Sequence, residues 1–423
     1  MRVLVLRALG LGDLLTAVPA LRGLRATFPR AEITLAAPGW LADAVARIDA
    51  VDRLLPTEAL APIDFEGPDL AVNLHGRGPQ SVQRLLATEP RRLITYAERG
   101  EWDERVSSIE WPADRNEVVR WCDLLHRHGI RCDPDDFRLA PVGERTGPVV
   151  VHPGASTGAR RWPVDRYAEV VRRLEAEVVV TAGPGEWELA RQVVAAAGSG
   201  PVAVGGLAAG NGPVAGEGLA AGEGLAAGEG LAAGEGSAAG DRLAAGDGPV
   251  AGSGLAAGSG LAAGSGLAAG SGLAAGSGLA AGSGLAAGSG AATGPGSDRF
   301  AGGDQVAGHP APTAFSAPTV FSGTLAELLD LVATARLVIC GDTGVAHAAT
   351  AYRTPSVLLF GPVPPSVWGP RRGPHQVLWH GETGDTFADE PDPGLLRITV
   401  DEVLDAAGGA LCGSESSERA TSV

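Results

Sequence analysis

Residues 206–289 are fourteen tandem six-residue units of the type Gly-Leu-Ala-Ala-Gly-Glu/Ser, so the fold has to be built by what lies on either side. The tract holds 27 of the 63 glycines of the 423-residue chain, and its composition is not that of the rest. Setting it aside leaves about 310–340 residues of globular character, enough for two domains of about 150 residues each. The unit formally resembles the hexapeptide of a left-handed β-helix. Energetics oppose that form. Burying the one leucine per unit gains about 1.5–3 kcal/mol, whereas ordering six residues costs about 6–12 kcal/mol of backbone entropy. Units 212–217, 236–241 and 248–253 replace even that leucine with Pro or Ser. The expectation is a disordered tandem expansion inserted over residues 206–312, tolerable because loop closure cost grows only as the logarithm of length.

Several classes drop out. A net charge of −16 and a pI near 5.0 argue against a general nucleic-acid binder, which needs a basic face. No apolar run reaches the length of a transmembrane helix. The start, Met1-Arg2-Val3-Leu4-Val5-Leu6, lacks the cleavage site of a signal peptide and reads as a buried strand. Four cysteines make no disulfide framework, and a cytoplasmic location is expected. All 33 basic residues are arginine, so any site that wants a cation must use arginine.

The remaining sequence alternates strand and helix. Residues 2–6, 31–36, 69–74 and 91–96 suit strands. Leu14, Leu15, Val18, Leu21 and Leu24 fall on one helical face that ends near Phe28, and a second helix is expected around 115–128, ending at Gly129. The pattern restarts after Pro148, with strands at 149–151, 178–180, 201–204, 319–321, 336–340 and 356–360. Helices are expected from Pro163 to Leu174, from Gly185 to Ala197, and over 324–333 and 344–352. Such alternation implies parallel sheets covered on both faces. The domains are expected at 1–145 and 146–405, the second interrupted by the repeat, with a flexible tail at 406–423. Ligands would sit at the carboxyl ends of the strands.

Three loops carry candidate chemistry. Gly10-Leu11-Gly12-Asp13 lies between the first strand and helix. Asp13 can be a general base, an ordinary helix N-cap, or part of a dinucleotide loop in which the third glycine is missing. His152 to Pro163 contains Ser156, Thr157, Arg160 and Arg161, a set suited to an anion. Gly341-Asp342-Thr343-Gly344 follows an apolar strand, and His347 lies one turn into the next helix. Two other groupings read as look-alikes. Cys122, His126, His128 and Cys132 have the spacing of no common zinc module. Asp133-Pro134-Asp135 reads as a solvated acidic loop in the interdomain linker.

Taken in order along the chain, these segments resemble glycosyltransferase family 9, the heptosyltransferases. Leu4 to Asp13 followed by Thr16-Ala17-Val18-Pro19-Ala20-Leu21 is similar to the family's N-terminus. Asp69-Leu-Ala-Val-Asn73-Leu-His75-Gly76 is similar to its mid-domain strand, with Asn73 where Asp is common. His152 through Pro163 resembles the donor loop. Cys340 to Gly344, His347, Thr354-Pro355 and Phe360-Gly361-Pro362 resemble its most specific block.

The resemblance implies a GT-B fold, two Rossmann-like domains facing a cleft. It implies inverting, metal-independent transfer, typically from ADP-heptose to a lipopolysaccharide core sugar, with no cofactor. Asp13 falls on the catalytic base. Ser156, Thr157, Arg160, Arg161, Asp342, Thr343, Gly344 and His347 fall on the donor side, and Gly12, His75 and Arg77 on the acceptor side. Arg160 stands where the family usually has lysine, a planar fork in place of a point charge. The implied partners are a nucleotide-sugar donor and a glycan or glycolipid acceptor, with no nucleic acid and at most peripheral contact with the inner membrane face. A dinucleotide-dependent oxidoreductase and a non-catalytic scaffold using the repeat are the alternatives.

Overall fold

Strands buried on both faces read as unbroken apolar runs, and Leu70–Asn73, Val149–His152 and Leu337–Gly341 are buried throughout. The computed structural model describes residues 1–97, 102–198, 204–205, 316–381 and 383–419, which belong to the unit Met1–Glu229 plus Phe315–Val423. The expected insertion at 206–312, and residues 201–203 of the strand expected before it, lie outside the described residues.

The first sheet contains β1 (Arg2–Leu6), β2 (Glu32–Ala37), β3 (Arg53–Pro56), β4 (Leu70–Asn73), β5 (Leu93–Tyr96) and β6 (Val106–Ile109), in the order β3-β2-β1-β4-β5-β6. Val3 pairs with Ile33 on one side and Leu70 on the other. The second contains β7 (Val149–His152), β8 (Val178–Val180), β9 (Val204–Gly205), β10 (Thr319–Phe321), β11 (Leu337–Gly341), β12 (Ser356–Phe360) and β13 (His375–Trp379). Its order is β13-β12-β11-β7-β8-β10-β9, and every pair in both sheets is parallel. The strand order reverses between β1 and β4 and again between β7 and β11. At such switch points the connections leave on opposite faces and open a crevice at the carboxyl ends. The segments leaving these four strands begin at Arg7, Leu74, Pro153 and Asp342.

The helix expected from Leu14 to Phe28 is two helices, α1 (Leu11–Thr16) and α2 (Val18–Thr27). Pro19 has no N–H for the Leu15 carbonyl, and its ring crowds that carbonyl, so the ladder breaks at Ala17. Proline is well accommodated in the first turn of α2. The break leaves α1 free to take its own direction, with Asp13 in its first turn. The first domain is completed by α3 (Ala42–Val45), α4 (Pro79–Leu86) and α5 (Glu117–His126), and the second begins with α6 (Val164–Arg173) and α7 (Trp187–Ala196). Then comes α8 (Leu325–Thr334), where Thr324 and Glu327 form a reciprocal capping box. It is followed by α9 (Gly344–Tyr352), α10 (Pro365–Trp368) and α11 (Val400–Arg419). Composition suggested a tail from residue 406, but α11 continues to Arg419. At its start Thr399 N–H donates to Glu402 Oε2 at 2.8 Å and Glu402 N–H to Thr399 Oγ1 at 3.2 Å, and Val403 and Ala407 are buried.

The domains meet through α1 and α9. Leu11, Leu14 and Leu15 share a buried cluster with Val345, Ala346 and Ala349. A Cβ on Gly12 would lie 2.6 Å from His347 Cδ2, so any larger residue would force the His347 ring to shift. Arg47, just past α3, donates to Asp330 Oδ1 at 2.6 Å, Tyr352 Oη at 3.0 Å and the Ala326 carbonyl at 3.0 Å. Asp135 receives Arg371 and Arg372 at 3.2 and 2.6 Å, so this acidic stretch is an ion-paired strap to the second domain.

The loop after β7 is held from outside by residues 386–392. Ala159 N–H donates to the Ala388 carbonyl at 2.8 Å, and Asp392 N–H to the Ala159 carbonyl at 3.1 Å. A Cβ on Gly158 would fall 1.6 Å from the Asp389 carbonyl oxygen. Gly158→Ala is therefore expected to cost about 1–3 kcal/mol, read as a lower melting temperature. An unchanged melt would contradict this packing.

Candidate active site

An arginine at the end of an apolar strand must find carboxylates if it is to stay buried. Arg7 is 1% exposed. Its Nε donates to the Asp13 carbonyl at 2.9 Å. Its Nη2 donates to Asp13 Oδ1 at 3.0 Å, Glu117 Oε1 at 3.0 Å and Thr16 Oγ1 at 3.2 Å, while Nη1 reaches the Leu74 carbonyl. Burial lowers the Arg7 pKa to about 10, opposed by the Asp13 charge. The same burial raises the Asp13 carboxyl above its ordinary value, against the pull of Arg7, His347, the Gly10 amide and Arg160. Asp13 is thus a stronger base than a free aspartate.

Facing it from the second domain is the turn Gly158–Arg160 and the start of α9. Arg160 Nη1 lies 3.5 Å from Asp342 Oδ2, and His347 Nε2 lies 4.0 Å from Asp342 Oδ1. Arg160 Nε and Asp342 Oδ2 are buried without a hydrogen-bond partner among the described residues. Such groups cost stability unless something meets them. No side chain caps α9 at Thr343, so its first N–H groups have no side-chain acceptor among the described residues. Burial pushes the His347 pKa down, and the ring is neutral at pH 7. The arrangement is a guanidinium and a helix N-terminus on one side and a buried carboxylate on the other, groups of the kind that meet phosphate.

A second cluster lies beside Arg160. Glu186 accepts from Ala155 N–H at 3.0 Å and Gly183 N–H at 3.2 Å, and Arg161 Nη2 lies 3.7 Å from its Oε1. Thr157 donates its hydroxyl to the Thr386 carbonyl at 2.8 Å, so it reaches the crevice only as an acceptor, while Ser156 is half-buried in the same loop. On the first-domain side His75 is buried. Its N–H donates to Asn73 Oδ1 at 3.0 Å, and its ring nitrogens have no partner among the described residues. Burial and Arg7 press its pKa down to about 3. Arg77 stands farther out, its guanidinium 5.9 Å from the Trp111 ring centre.

Asp13, Arg160, Asp342 and His347 are thus brought together, with Gly12 and Gly344 at the domain contact. The zinc look-alike is not assembled. His126 Nε2 engages the backbone of Cys132, and His128 Nδ1 lies 3.2 Å from Arg92. Among the described residues no three His, Cys, Asp or Glu side chains group as a metal site. The dinucleotide alternative also loses ground, because Leu15, at the missing third glycine, is buried in the α1–α9 contact. Sequence reasoning missed Arg7, Glu117 and Glu186. An arginine closing an apolar strand was a readable signal for Arg7, and a carboxylate closing the turn Gly183-Pro184-Gly185 was one for Glu186. Glu117 had none.

Residues 322–389, from the end of β10 through β13, match the family model described as Glycosyltransferase family 9 (heptosyltransferase). Among curated proteins no sequence matches the chain. The glycosyl transferase family 9 structure from Veillonella parvula aligns with a TM-score of 0.58 at 14% identity, covering 97% of each chain. E. coli ADP-heptose lps heptosyltransferase II aligns at 0.56 and 17% identity, covering 98% of this chain and 100% of that one. E. coli heptosyltransferase WaaC with ADP aligns at 0.55 and 14% identity, covering 97% and 100%. At these identities the likeness is one of fold, and that fold is GT-B.

Because the Asp13 pKa is raised above 3.8, the folded chain binds its proton more tightly than the unfolded chain. Its contribution to stability is complete below the unfolded value and is lost as pH rises through the folded one. Asp13→Asn has no such titration. Urea melts from about pH 4 to about pH 7 should therefore show this variant gaining stability relative to the parent as pH rises. A flat or falling difference would contradict the burial argument.

Proposed function

We propose that this chain acts as a glycosyltransferase of the family 9 type, moving a sugar from a nucleoside-diphosphate donor to a glycan or glycolipid hydroxyl by a single inverting displacement. The E. coli neighbours are named for ADP-heptose and heptosyl transfer, and a heptose or similar sugar is the donor favoured here. The observation that carries the reading is Asp13 set opposite Arg160, Asp342 and α9 across two switch points. The acceptor belongs to the first domain, residues 1–145, and the donor to the second, residues 146–405.

In this mechanism the acceptor oxygen attacks the anomeric carbon while the bond from that carbon to the diphosphate oxygen breaks. The proton of the attacking hydroxyl passes to Asp13 late in the step, as the oxygen becomes acidic. Electrons of the broken bond leave with the nucleoside diphosphate. Arg160, Arg161 and the α9 N-terminus meet that growing charge. Asp342 holds Arg160 through Oδ2 and offers a carboxylate oxygen to a donor hydroxyl. Ser156 and Thr157 border the diphosphate, and His75 and Arg77 border the acceptor. Arginine in place of lysine at 160 keeps the charge and offers two phosphate oxygens a fork. These groups supply the charge compensation that a metal ion gives other transferases, so transfer is expected without one.

Among the described residues no helix is long and apolar enough to cross a membrane. A cytoplasmic enzyme that touches the inner membrane face only peripherally fits a glycolipid acceptor, including a lipopolysaccharide core.

Asp13→Ala should lower turnover about 10²-fold or more while nucleoside-diphosphate affinity changes less than about twofold. Product analysis should show an inverted anomeric centre. Near-normal turnover in Asp13→Ala, or retention of configuration, would defeat the mechanism.

A further inference from the structure

We propose that Glu117 is a positioning residue for the transfer, holding Arg7 from the side opposite Asp13 and so setting how much of the guanidinium charge reaches the base. The inference rests on the reading of Asp13 as that base. Glu117 is the first residue of α5, and its side chain is 4% exposed. Both oxygens are committed. Oε1 accepts from Arg7 Nη2 at 3.0 Å and from Trp121 Nε1 at 2.8 Å, and Oε2 accepts from Arg120 Nη1. The same Arg7 nitrogen donates to Asp13 Oδ1 at 3.0 Å. One NH2 group therefore sits between two carboxylates whose oxygens are no more than about 6 Å apart. Along the chain of contacts the charges alternate: Asp13, Arg7, Glu117, Arg120.

The packing keeps water from screening this row. The Trp121 ring lies 4.9 Å from the Arg7 guanidinium, and the Trp111 ring 4.3 Å from that of Arg120. As a structural partner Glu117 satisfies Trp121 Nε1 and compensates the buried charges of Arg7 and Arg120. A full negative charge in that place is costly to bury, and its effect is electrostatic. A like charge at this distance disfavours ionisation of its neighbour. Glu117 therefore keeps Asp13 more basic than Arg7 alone would leave it, and fixes the guanidinium so that Asp13 keeps one orientation.

The other groups near this row are identified. Arg160 and His347 face Asp13 from the second domain, with Asp342 beside both. His75 faces Arg7, and Tyr96, Arg77 and Asp114 face Arg120. Burial keeps His347 and His75 neutral at pH 7, so neither masks the effect of Glu117.

The test is the pH profile of kcat in two variants whose charge changes have opposite sign. Glu117→Gln keeps the shape and the acceptor oxygen but removes the charge. Its kcat at pH 7 should fall about threefold to tenfold, with the donor KM within about twofold of the parent. The acid limb should move to lower pH by about one unit. Arg120→Gln leaves Glu117 less compensated, so its acid limb should move to higher pH. Circular dichroism checks folding, and if one variant does not fold the sign of the other still decides. Acid limbs that stay in place, or both move the same way, overturn the proposal. So does a Glu117→Gln effect confined to the donor KM. An inactive Asp13→Ala beside an unmoved Glu117→Gln profile defeats this inference alone, whereas an active Asp13→Ala defeats the base assignment itself.

Discussion

The close contact between α1 and α9 is the constraint on which the site depends. Two parallel sheets each open a crevice at their own switch point, and Asp13 belongs to one while Arg160 and Asp342 belong to the other. Gly12 lets α1 approach until His347 stands against it, and Leu11, Leu14 and Leu15 bury the join. Asp13 then lies near His347 and Arg160 in a buried, low-dielectric setting. Electrostatic effects are larger there than in water. The same closeness raises the Asp13 pKa and keeps His347 neutral.

Second in importance is the buried ionic row behind Asp13. Replacing such a row by apolar side chains often stabilises a protein, while removing one member strands its partner. Arg7, Asp13, Glu117 and Arg120 therefore read as a functional expense of the fold. Arg7 also ties the ends of two neighbouring strands, since it binds the Leu74 carbonyl as well as Asp13. Asp13 is thus fixed to the switch point itself and not to a loose loop.

Much of this was legible in the sequence. Apolar runs at 2–6, 149–151 and 336–340 announced central strands, because a strand covered on both faces is built mainly of apolar residues. The edge elements β3, β6 and β13 were not legible. Their residues Arg53, Ser108 and Gln376 are exposed, and half-exposed short strands carry no unbroken run. The break between α1 and α2 was available in Pro19 but hidden by an apolar spacing that continues through it. Asp13, Arg160, Asp342 and His347 stood out because each follows a strand end at a glycine-rich turn. Glu117 did not, since its partners lie 110 residues away at Arg7 and three away at Arg120, and only the folded chain joins them.

The central claim is that a nucleoside diphosphate binds between Arg160 and the start of α9, with Asp13 opposite and not in contact. A thermal-shift titration with ADP, GDP, UDP, dTDP and NAD in metal-free buffer tests it most directly, run on the parent, Arg160→Ala and Asp13→Ala proteins. The account predicts that one nucleoside diphosphate stabilises the parent and Asp13→Ala alike, and that Arg160→Ala loses most of the shift. Stabilisation by NAD alone, by none of the nucleotides, or equally in Arg160→Ala would contradict it.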